Sequence, residues 1–253
     1  MGKLADWFEN ETFWAEYAPI MFDTQRWAEA PTVAESILRI IGVPVDNAGI
    51  SILDAGCGPG RIAIELAIRK AKVTGIDLIR PFLNAAMDSA QDEGVDIELI
   101  QGDLRKFVRP EAFDAAISMY TSFGYCSTIE EDMQILKNIA QSIKPNGWFI
   151  LEMTGREIAV RDFTEGEWFE RGGFTVLTEY SVEGAWEGLR SRWILYDEQG
   201  RKADHTYVQR LYSAVELKRL MPAAGFSSVE IYGDFDFSPY NEKARTMVLI
   251  ARK

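Results

Sequence analysis

Residues 52–61 read ILDAGCGPGR: an apolar run, an acid, three glycines that alternate with other residues, and the start of a helical pattern. A buried strand, a glycine-rich turn and a helix in this order are typical of an open α/β sheet, in which ligands bind beyond the carboxyl ends of the strands. The glycines let the backbone approach a ligand closely, and the helix N-terminus offers free N–H groups to an anion. The stretch therefore predicts a ligand that carries a carboxylate or a phosphate.

The alternation of strand and helix continues over residues 50–152. Its segments are, in order, ISILDA, RIAIELAIRK, KVTGID, RPFLNAAMDSAQDEG, IELIQGD, FDAAISMY, EEDMQILKNIAQSI and WFILEM. Strands and helices that alternate at this spacing form a parallel sheet through right-handed crossovers. Over about 167–212 strands instead follow one another across glycine-containing turns, which indicates an antiparallel insertion. Two final strands, FSSVEIYGDF and ARTMVLIARK, should pair antiparallel at the edge of the main sheet.

The predicted fold class is α/β: a Rossmann-like, doubly wound, mostly parallel seven-stranded sheet with an antiparallel β insertion before the last helix. We expect three regions. Residues 1–47 form an N-terminal helical lid, residues 48–155 and 213–253 form the cofactor-binding core, and residues 156–212 form the insertion, a substrate cap. The first region is rich in aromatic residues, which at helical spacing are more often core than ligand contacts, so its role as a lid stays open.

Composition narrows the classes of partner. The 253 residues carry a formal net charge of −12, whereas binding to nucleic-acid backbones or anionic membranes needs basic patches. No segment approaches the roughly 20 apolar residues that span a bilayer, and the N-terminus lacks the apolar stretch of a signal peptide. We therefore expect a cytoplasmic protein that binds neither nucleic acid nor membrane. The chain contains two cysteines, Cys57 and Cys126, and one histidine, His205. We therefore expect neither a disulfide framework nor a metal site.

The spacing of the glycines disfavours a dinucleotide. The dinucleotide fingerprint is G-x-G-x-x-G, but Gly56 and Gly58 are followed by Gly60, and Arg61 occupies the third required position. Asp54, directly before the turn, would repel a pyrophosphate, whereas it could receive the ammonium of an amino acid. A ligand with both charges therefore suits the turn better than NAD does.

Two further aspartates end the next two predicted strands. Asp77 ends KVTGID, close to the offset of about 20 residues at which an acid accepts ribose hydroxyls in such folds. Asp103 ends IELIQGD. Any one of these acids is more often a helix cap than a ligand contact, but three successive strand ends are hard to explain by capping. A ligand with an amino-acid end, a ribose and an amine-bearing base would use all three.

The series ILDAGCGPG, VTGID, QGD followed by Leu104, FDAAISMYTSFGY and IKPNGWFILE resembles the ordered motifs of class I S-adenosylmethionine-dependent methyltransferases. More loosely, the tail RLYSAVELKRLMPAAGF is similar to small-molecule methyltransferases of the aminosugar N,N-dimethyltransferase type. The resemblance implies that S-adenosylmethionine is the cofactor. It also implies that Gly56 and Gly58 pack along the methionine part of the cofactor and that Asp54 contacts its amino group.

The resemblance assigns further residues to the cofactor. Asp77 would bind the ribose hydroxyls, and Asp103 with the backbone at Leu104 would contact the adenine amine and ring edge. The side chains expected to line the adenine base or the floor of the site are Ile76, Leu78 and Met119. Those expected to close over the cofactor from an N-terminal helix are Tyr17, Phe22 and Trp27.

The acceptor side is less well specified. The segment after the fourth core strand should border the acceptor through Tyr120, Thr121, Ser122 and Tyr125, although it lacks the N/D-P-P-aromatic motif of nucleic-acid amino methylases. In HTYVQRLY, alternation places His205 opposite Arg210 and Tyr212, so only one set can face the cleft. We favour Arg210 and Tyr212 as substrate contacts. The catalytic residue stays open, with Tyr120 and His205 as candidates.

The leading hypothesis is a methyltransferase that moves a methyl group from S-adenosylmethionine to a nitrogen or oxygen of a small molecule. A transferase that uses the decarboxylated cofactor is a second enzyme hypothesis. It is disfavoured because Asp54 is predicted to bind an ammonium group and the glycine-rich turn is predicted to bind an anion such as a carboxylate. A cofactor-binding, non-catalytic or regulatory protein of the same fold is the alternative from another class. The oligomeric state stays open, with a homodimer among the possibilities.

Overall fold

The computed structural model describes residues 7–46 and 49–253, so the predicted boundary between residues 47 and 48 lies outside the described residues. The helices are α1 (Glu11–Met21), α2 (Thr24–Ile40), α3 (Arg61–Ile68), α4 (Arg80–Asp92), α5 (Ile129–Ser142), α6 (Arg156–Arg161) and α7 (Ala214–Ala224). The strands are β1 (Ser51–Ala55), β2 (Lys72–Asp77), β3 (Glu98–Gln101), β4 (Phe113–Ser118), β5 (Ile143–Met153), β6 (Gly166–Arg171), β7 (Phe174–Glu183), β8 (Gly188–Asp197), β9 (Lys202–Arg210), β10 (Ser228–Tyr232) and β11 (Met247–Arg252). A short 3-10 helix, Trp7–Glu9, precedes α1.

Seven strands form the main sheet in the order β10-β11-β5-β4-β1-β2-β3. The pairs from β5 to β3 are parallel, while β11 runs antiparallel to both β5 and β10. This confirms the predicted fold class, including the antiparallel final pair. The strand order reverses between β1 and β4, and in open α/β sheets ligands bind at the carboxyl ends of the strands beside such a reversal.

The sheet is buried on both faces because apolar side chains of β1 and β4 point alternately to two cores. Ile52, Ala115 and Ile117 contact the helices on one face, and Leu53 and Ala116 contact those on the other. Helix α2 belongs to the first of these cores, where its Ala34, Ile37 and Leu38 are fully buried. Within residues 7–46, the described part of the predicted lid, the 3-10 helix and α1 therefore lie outside the sandwich, whereas α2 is part of it.

The insertion is a four-stranded antiparallel sheet in the order β6-β7-β8-β9. Its inner face packs on α1 in a third apolar cluster, which contains Phe13 and Tyr17 of α1 together with Val176 and Leu195. The Tyr17 hydroxyl donates a hydrogen bond to the carbonyl oxygen of Trp193 at 2.6 Å. Helix α1 and this sheet consequently form one wall beside the carboxyl ends of the parallel strands.

Among the helices that the structure describes, none is long and apolar enough to cross a membrane. Within the same part of the chain, no group of three or more histidine, cysteine or acidic side chains is placed to hold a metal ion.

Candidate active site

A cavity of about 600 Å³ lies between the carboxyl ends of the parallel strands and the inner face of the insertion. Its volume is in the range of small-molecule and cofactor sites, roughly 300–1,000 Å³. Fourteen of the residues predicted for the site line it: Phe22, Asp54, Gly56, Gly58, Ile76, Asp77, Leu78, Asp103, Leu104, Met119, Tyr120, Thr121, Ser122 and Tyr125. The topology thus brings together side chains that come from five separate segments of the sequence.

The turn after β1 needs its glycines. Gly56, Gly58 and Gly60 all have positive φ angles, of 83°, 53° and 81°. A Cβ atom on Gly56 would lie 2.9 Å from Cβ of Ser122, so this position is closed to a side chain by sterics as well as by backbone conformation. The backbone N–H groups of Gly56 and Cys57 donate to the carbonyl oxygen of Ile76, at 2.9 and 3.1 Å, which fixes the turn against β2.

Asp54 is a buried acid without a hydrogen-bonded partner. Its residue is 2% exposed, and its carboxylate accepts no hydrogen bond from any residue in the described ranges. Burial, followed by the nearby charge of Asp77, raises the pKa of Asp54 to about 7, although the positive charge of Arg61 opposes the rise. Because the carboxylate lines the cavity, a cationic group of a ligand would supply the missing partner.

This pKa predicts a pH dependence for binding of a ligand whose ammonium contacts Asp54. Above pH 7 the carboxylate is already ionised, so affinity should be level. Below pH 7 a proton must leave Asp54 when the ligand binds, so affinity for S-adenosylmethionine should fall by up to about tenfold per pH unit. Calorimetric titrations on both sides of pH 7 measure this slope, and Asp54→Asn should bind weakly without it. A level wild-type profile would contradict the role of Asp54.

Asp77 fixes the glycine-rich turn from the end of β2. One carboxylate oxygen accepts from the backbone N–H of Gly58 at 2.8 Å, and the other accepts from Ile79 at 2.9 Å. Burial raises the pKa of Asp77 despite these bonds. An ionised carboxylate offers about four acceptor positions, so two remain for donors such as ribose hydroxyls.

Asp103, at the end of the segment that follows β3, is held by Arg105. The Arg105 Nε atom lies 2.9 and 3.0 Å from the two carboxylate oxygens, and the backbone N–H of Arg105 donates to Oδ1 at 2.8 Å. Burial opposes ionisation, but the hydrogen bonds and charge of Arg105 prevail and lower the pKa of Asp103. The Leu104 carbonyl accepts from Asn138 at 2.9 Å, so the backbone here is also fixed.

The turn after β4 is strained and is held by Glu152, which the sequence analysis did not single out. Tyr120 and Thr121 have positive φ angles of 53° and 64°, a conformation that costs free energy for a β-branched residue such as Thr121. The Glu152 carboxylate accepts from the Tyr120 N–H at 2.7 Å and from the Thr246 hydroxyl. The Glu152 carbonyl accepts from the Thr121 N–H at 3.1 Å. Glu152 therefore sets the direction of the side chains that border the cavity.

The structure reverses the predicted inner face of β9. Tyr207 and Gln209 line the cavity, but Arg210 and Tyr212 do not. The Tyr212 hydroxyl donates to Asp132 at 2.8 Å, and Arg210 forms an ion pair with the same acid at 3.3 Å. Because β9 ends at Arg210, the alternation on which the prediction relied does not extend to Tyr212.

Three other predicted residues also lie outside the cavity. His205 shares the inner face with Tyr207, but its Nε2 atom lies 2.7 Å from a carboxylate oxygen of Glu16 on α1. Tyr17 is fully buried between α1 and the insertion, and Trp27 does not line the cavity either. Of the aromatic residues predicted to close over the cofactor, only Phe22 lines the site, and its ring lies 3.7 Å from the position of a Cβ atom on Gly58.

The sheet order, the glycine-rich turn and the strand-end acids are those of the class I, Rossmann-like methyltransferase fold. Residues 52–147 match the family model described as a methyltransferase domain. The chain is an S-adenosylmethionine-dependent methyltransferase.

Three known proteins illustrate the similarity. The cypemycin N-terminal methyltransferase of a Streptomyces species is 25% identical over 229 residues, which cover 83% of this chain and 85% of that protein. A crystal structure of an S-adenosylmethionine-dependent methyltransferase from Clostridium acetobutylicum superposes with a TM-score of 0.78 at 13% identity, covering 95% of this chain and 97% of the other. The amino pentose methyltransferase CalS10 from Micromonospora echinaspora superposes with a TM-score of 0.69 at 22% identity, covering 96% and 97%.

The residues that line the cavity fit this cofactor. A carboxylate without a partner, Asp54, matches an ammonium group, and the acceptor positions left on Asp77 match a pair of hydroxyls. At Gly56 a side chain would fill the space beside Ser122, so the backbone itself can face a ligand there.

Proposed function

We propose that the protein transfers a methyl group from S-adenosylmethionine to a nitrogen or oxygen atom of a small molecule. The observation that carries the proposal is the extent of the cavity. It continues from the acids at the ends of β1 and β2 to Trp193, Tyr207 and Gln209 on the insertion. A cofactor held by Asp54 and Asp77 would therefore face a second compartment, which a protein that only binds the cofactor does not need.

Relatives of both kinds occur, because two have names that describe an amine acceptor and others are O-methyltransferases, so the acceptor atom stays nitrogen or oxygen. The name of the Streptomyces relative states that it methylates an N-terminus, and the Micromonospora enzyme acts on an amino pentose. Both names describe acceptors that carry an amine. The net charge of −12 agrees with a cationic or neutral acceptor rather than a nucleic acid.

Methyl transfer mainly requires that the protein align the methyl donor with the acceptor atom. The cofactor supplies a methyl group that its sulfonium already activates, so transfer is an in-line displacement. Holding the acceptor atom at about 3–3.5 Å from the methyl group, with water excluded, can lower the barrier by roughly 7–11 kcal/mol without an acid or base. Asp54 and Asp77 would orient the donor, Trp193 and Tyr207 would orient the acceptor, and the aromatic side chains of α1 and the insertion would exclude water.

An amine or hydroxyl acceptor must also lose a proton, and neither predicted candidate is suited to take it. His205 is paired with Glu16 outside the cavity. Tyr120 does line the cavity, but burial raises the pKa of its hydroxyl. An amine acceptor that enters as the free base needs no base from the protein before the displacement, and the proton can leave with the product.

Gln209 should contribute to acceptor binding. Its side-chain Nε2 atom is buried and has no hydrogen-bond partner among the described residues. An acceptor oxygen or nitrogen would satisfy it, so Gln209→Met should raise KM for the acceptor by about tenfold and leave the cofactor Kd unchanged. Steady-state kinetics with the identified acceptor measure the change. Gln199→Met, in the exposed turn after β8, is the control and should have wild-type KM; an unchanged KM for Gln209→Met would contradict the assignment.

The function itself is tested with methyl-labelled S-adenosylmethionine and an extract of the cells that make the protein. We expect label to appear in a compound of low molecular mass, and to be absent when Asp77→Ala replaces the wild type. Label confined to nucleic acid or protein would contradict a small-molecule acceptor. Saturable cofactor binding without any labelled product would favour the non-catalytic alternative.

A further inference from the structure

One wall of the acceptor compartment is an irregular segment, residues 119–128, between β4 and α5. Its Tyr125 lines the cavity together with Tyr207 and Gln209 of the insertion. The ring of Trp7 lies between the two tyrosines, 4.6 Å from the ring centre of Tyr125 and 4.7 Å from that of Tyr207. Because the segment has no helix or strand to hold it, contacts from other elements must fix the position of Tyr125.

Arg210, the last residue of β9, binds this segment at two points. Its backbone N–H donates to the carbonyl oxygen of Gly124 at 2.8 Å, and its Nη2 atom donates to the carbonyl oxygen of Ser127 at 3.1 Å. A Cβ atom on Gly124 would lie 2.9 Å from the carbonyl oxygen of Arg210, so a side chain there would force the two backbones apart. The two bonds flank Tyr125, and they connect it to the strand that carries Gln209.

Asp132, in the first turn of α5, fixes the side chain of Arg210. It is 1% exposed, and its Oδ2 atom lies 3.3 Å from Nε of Arg210 and accepts a hydrogen bond from the Tyr212 hydroxyl at 2.8 Å. The Tyr212 ring packs on Phe123 of the irregular segment, with 5.4 Å between the ring centres. We call Asp132, Arg210 and Tyr212 the Asp132 cluster. None of the three is among the described residues that line the cavity, so the cluster lies behind the wall.

Stability alone does not account for a buried ion pair at this place. Removing two charges from water has a free-energy cost that can exceed their attraction, and apolar side chains of similar volume often stabilise a protein equally well or better. Burial raises the pKa of Asp132 despite the hydrogen bond from Tyr212 and the charge of Arg210. Charge-assisted hydrogen bonds add geometric specificity that apolar contacts lack. The cluster therefore fixes where β9 meets the irregular segment.

We propose that the Asp132 cluster positions the methyl acceptor, because it sets the separation of Tyr125 and Gln209 without touching the acceptor itself. The proposal rests on the proposed function and deepens it. Methyl transfer needs the acceptor atom at about 3–3.5 Å from the methyl group, and a displacement of about 1 Å can lower the rate about 100-fold. The proposed contacts of the cofactor lie at the ends of β1 and β2. Loss of the cluster should therefore impair use of the acceptor and leave cofactor affinity unchanged.

Transfer of label from methyl-labelled S-adenosylmethionine into the low-molecular-mass fraction of the cell extract tests the proposal. Asp114→Asn is the matched control, because Asp114 is also paired, with Lys144 at 2.7 Å, but lies at the end of β4 that is remote from the cavity. Over a dilution series of that fraction, Asp132→Asn should lower kcat/KM at least about tenfold, and Asp114→Asn should keep the wild-type value. Calorimetric titration with S-adenosylhomocysteine should give one Kd for all three proteins.

An apolar replacement of the cluster separates positioning from stability. Asp132→Leu/Arg210→Met/Tyr212→Phe should keep or exceed the wild-type Tm, since the desolvated charges are gone, and should lose label transfer as strongly as Asp132→Asn does. Wild-type kcat/KM in either folded variant would overturn the proposal, whatever the Tm, and so would an equal loss of affinity for S-adenosylhomocysteine. If the wild type transferred no label to any small molecule, the proposed function itself would fail and this proposal with it.

Discussion

Gly56→Ala is expected to lower the affinity for S-adenosylmethionine at least about 100-fold, because the new side chain meets two obstacles at once. With φ at 83°, an alanine here adopts a left-handed conformation that costs roughly 1–2 kcal/mol. Its Cβ atom would also lie 2.9 Å from Cβ and 3.3 Å from Oγ of Ser122, so either the turn after β1 or the turn after β4 must move. Both turns line the cavity. Calorimetric titration with the cofactor measures the loss.

The chain supplies a matched control for this substitution. Gly42 has a similar φ of 74°, but a Cβ atom there would meet nothing within 4 Å. Gly42→Ala should therefore lose a similar amount of stability and keep wild-type cofactor affinity. The double variant Gly56→Ala/Ser122→Gly, which removes the opposing Cβ atom, should regain part of the affinity. Equal affinities for Gly56→Ala and Gly42→Ala would show that the close approach to Ser122 has no role in binding.

Asp77→Ala is expected to lower the affinity for S-adenosylmethionine by a comparable factor. The carboxylate holds the backbone of Gly58 and Ile79, and the positions left on it would accept the ribose hydroxyls. Hydrogen bonds to a charged group contribute about 1.5–3 kcal/mol each, so loss of two such bonds to the ribose corresponds to at least about a 100-fold fall in affinity. Because burial raises the pKa of Asp77, its removal also relieves a desolvation cost, and the variant should remain folded.

Asp88→Ala is the control, because Asp88 is exposed on α4 and makes no hydrogen bond in the described structure. Both variants should be folded, as judged by a thermal unfolding transition, and only Asp77→Ala should lose affinity for the cofactor. Wild-type affinity in a folded Asp77→Ala protein would contradict the assignment of Asp77 to the ribose.

The positions of the acids could be predicted because topology determines them. In a parallel sheet the carboxyl ends of neighbouring strands share one edge, so Asp54, Asp77 and Asp103 had to converge once the strands were recognised. The seven-stranded sheet and the antiparallel insertion followed from the periodicity of the apolar residues in the same way. All three acids line the cavity.

The inner face of β9 could not be predicted, since alternation defines two faces but does not say which one packs on the core. That choice depends on how the insertion docks on α1, through contacts between residues far apart in the sequence, such as Tyr17 with Trp193. For the same reason the lid prediction for residues 1–47 did not separate α1 from α2, whose buried face belongs to the sandwich. The sequence indicated Arg61 only as the residue that breaks the dinucleotide spacing, because its burial in the wall of the cavity depends on its three-dimensional neighbours.

We propose that this cavity binds S-adenosylmethionine through the acids at the strand ends. The most direct test is a calorimetric titration of the wild-type protein with S-adenosylmethionine, repeated with Asp77→Ala. We predict saturable binding at one site per chain in the wild type and its loss in the variant. No saturable binding by the folded wild-type protein, or equal binding by the two proteins, would contradict the claim.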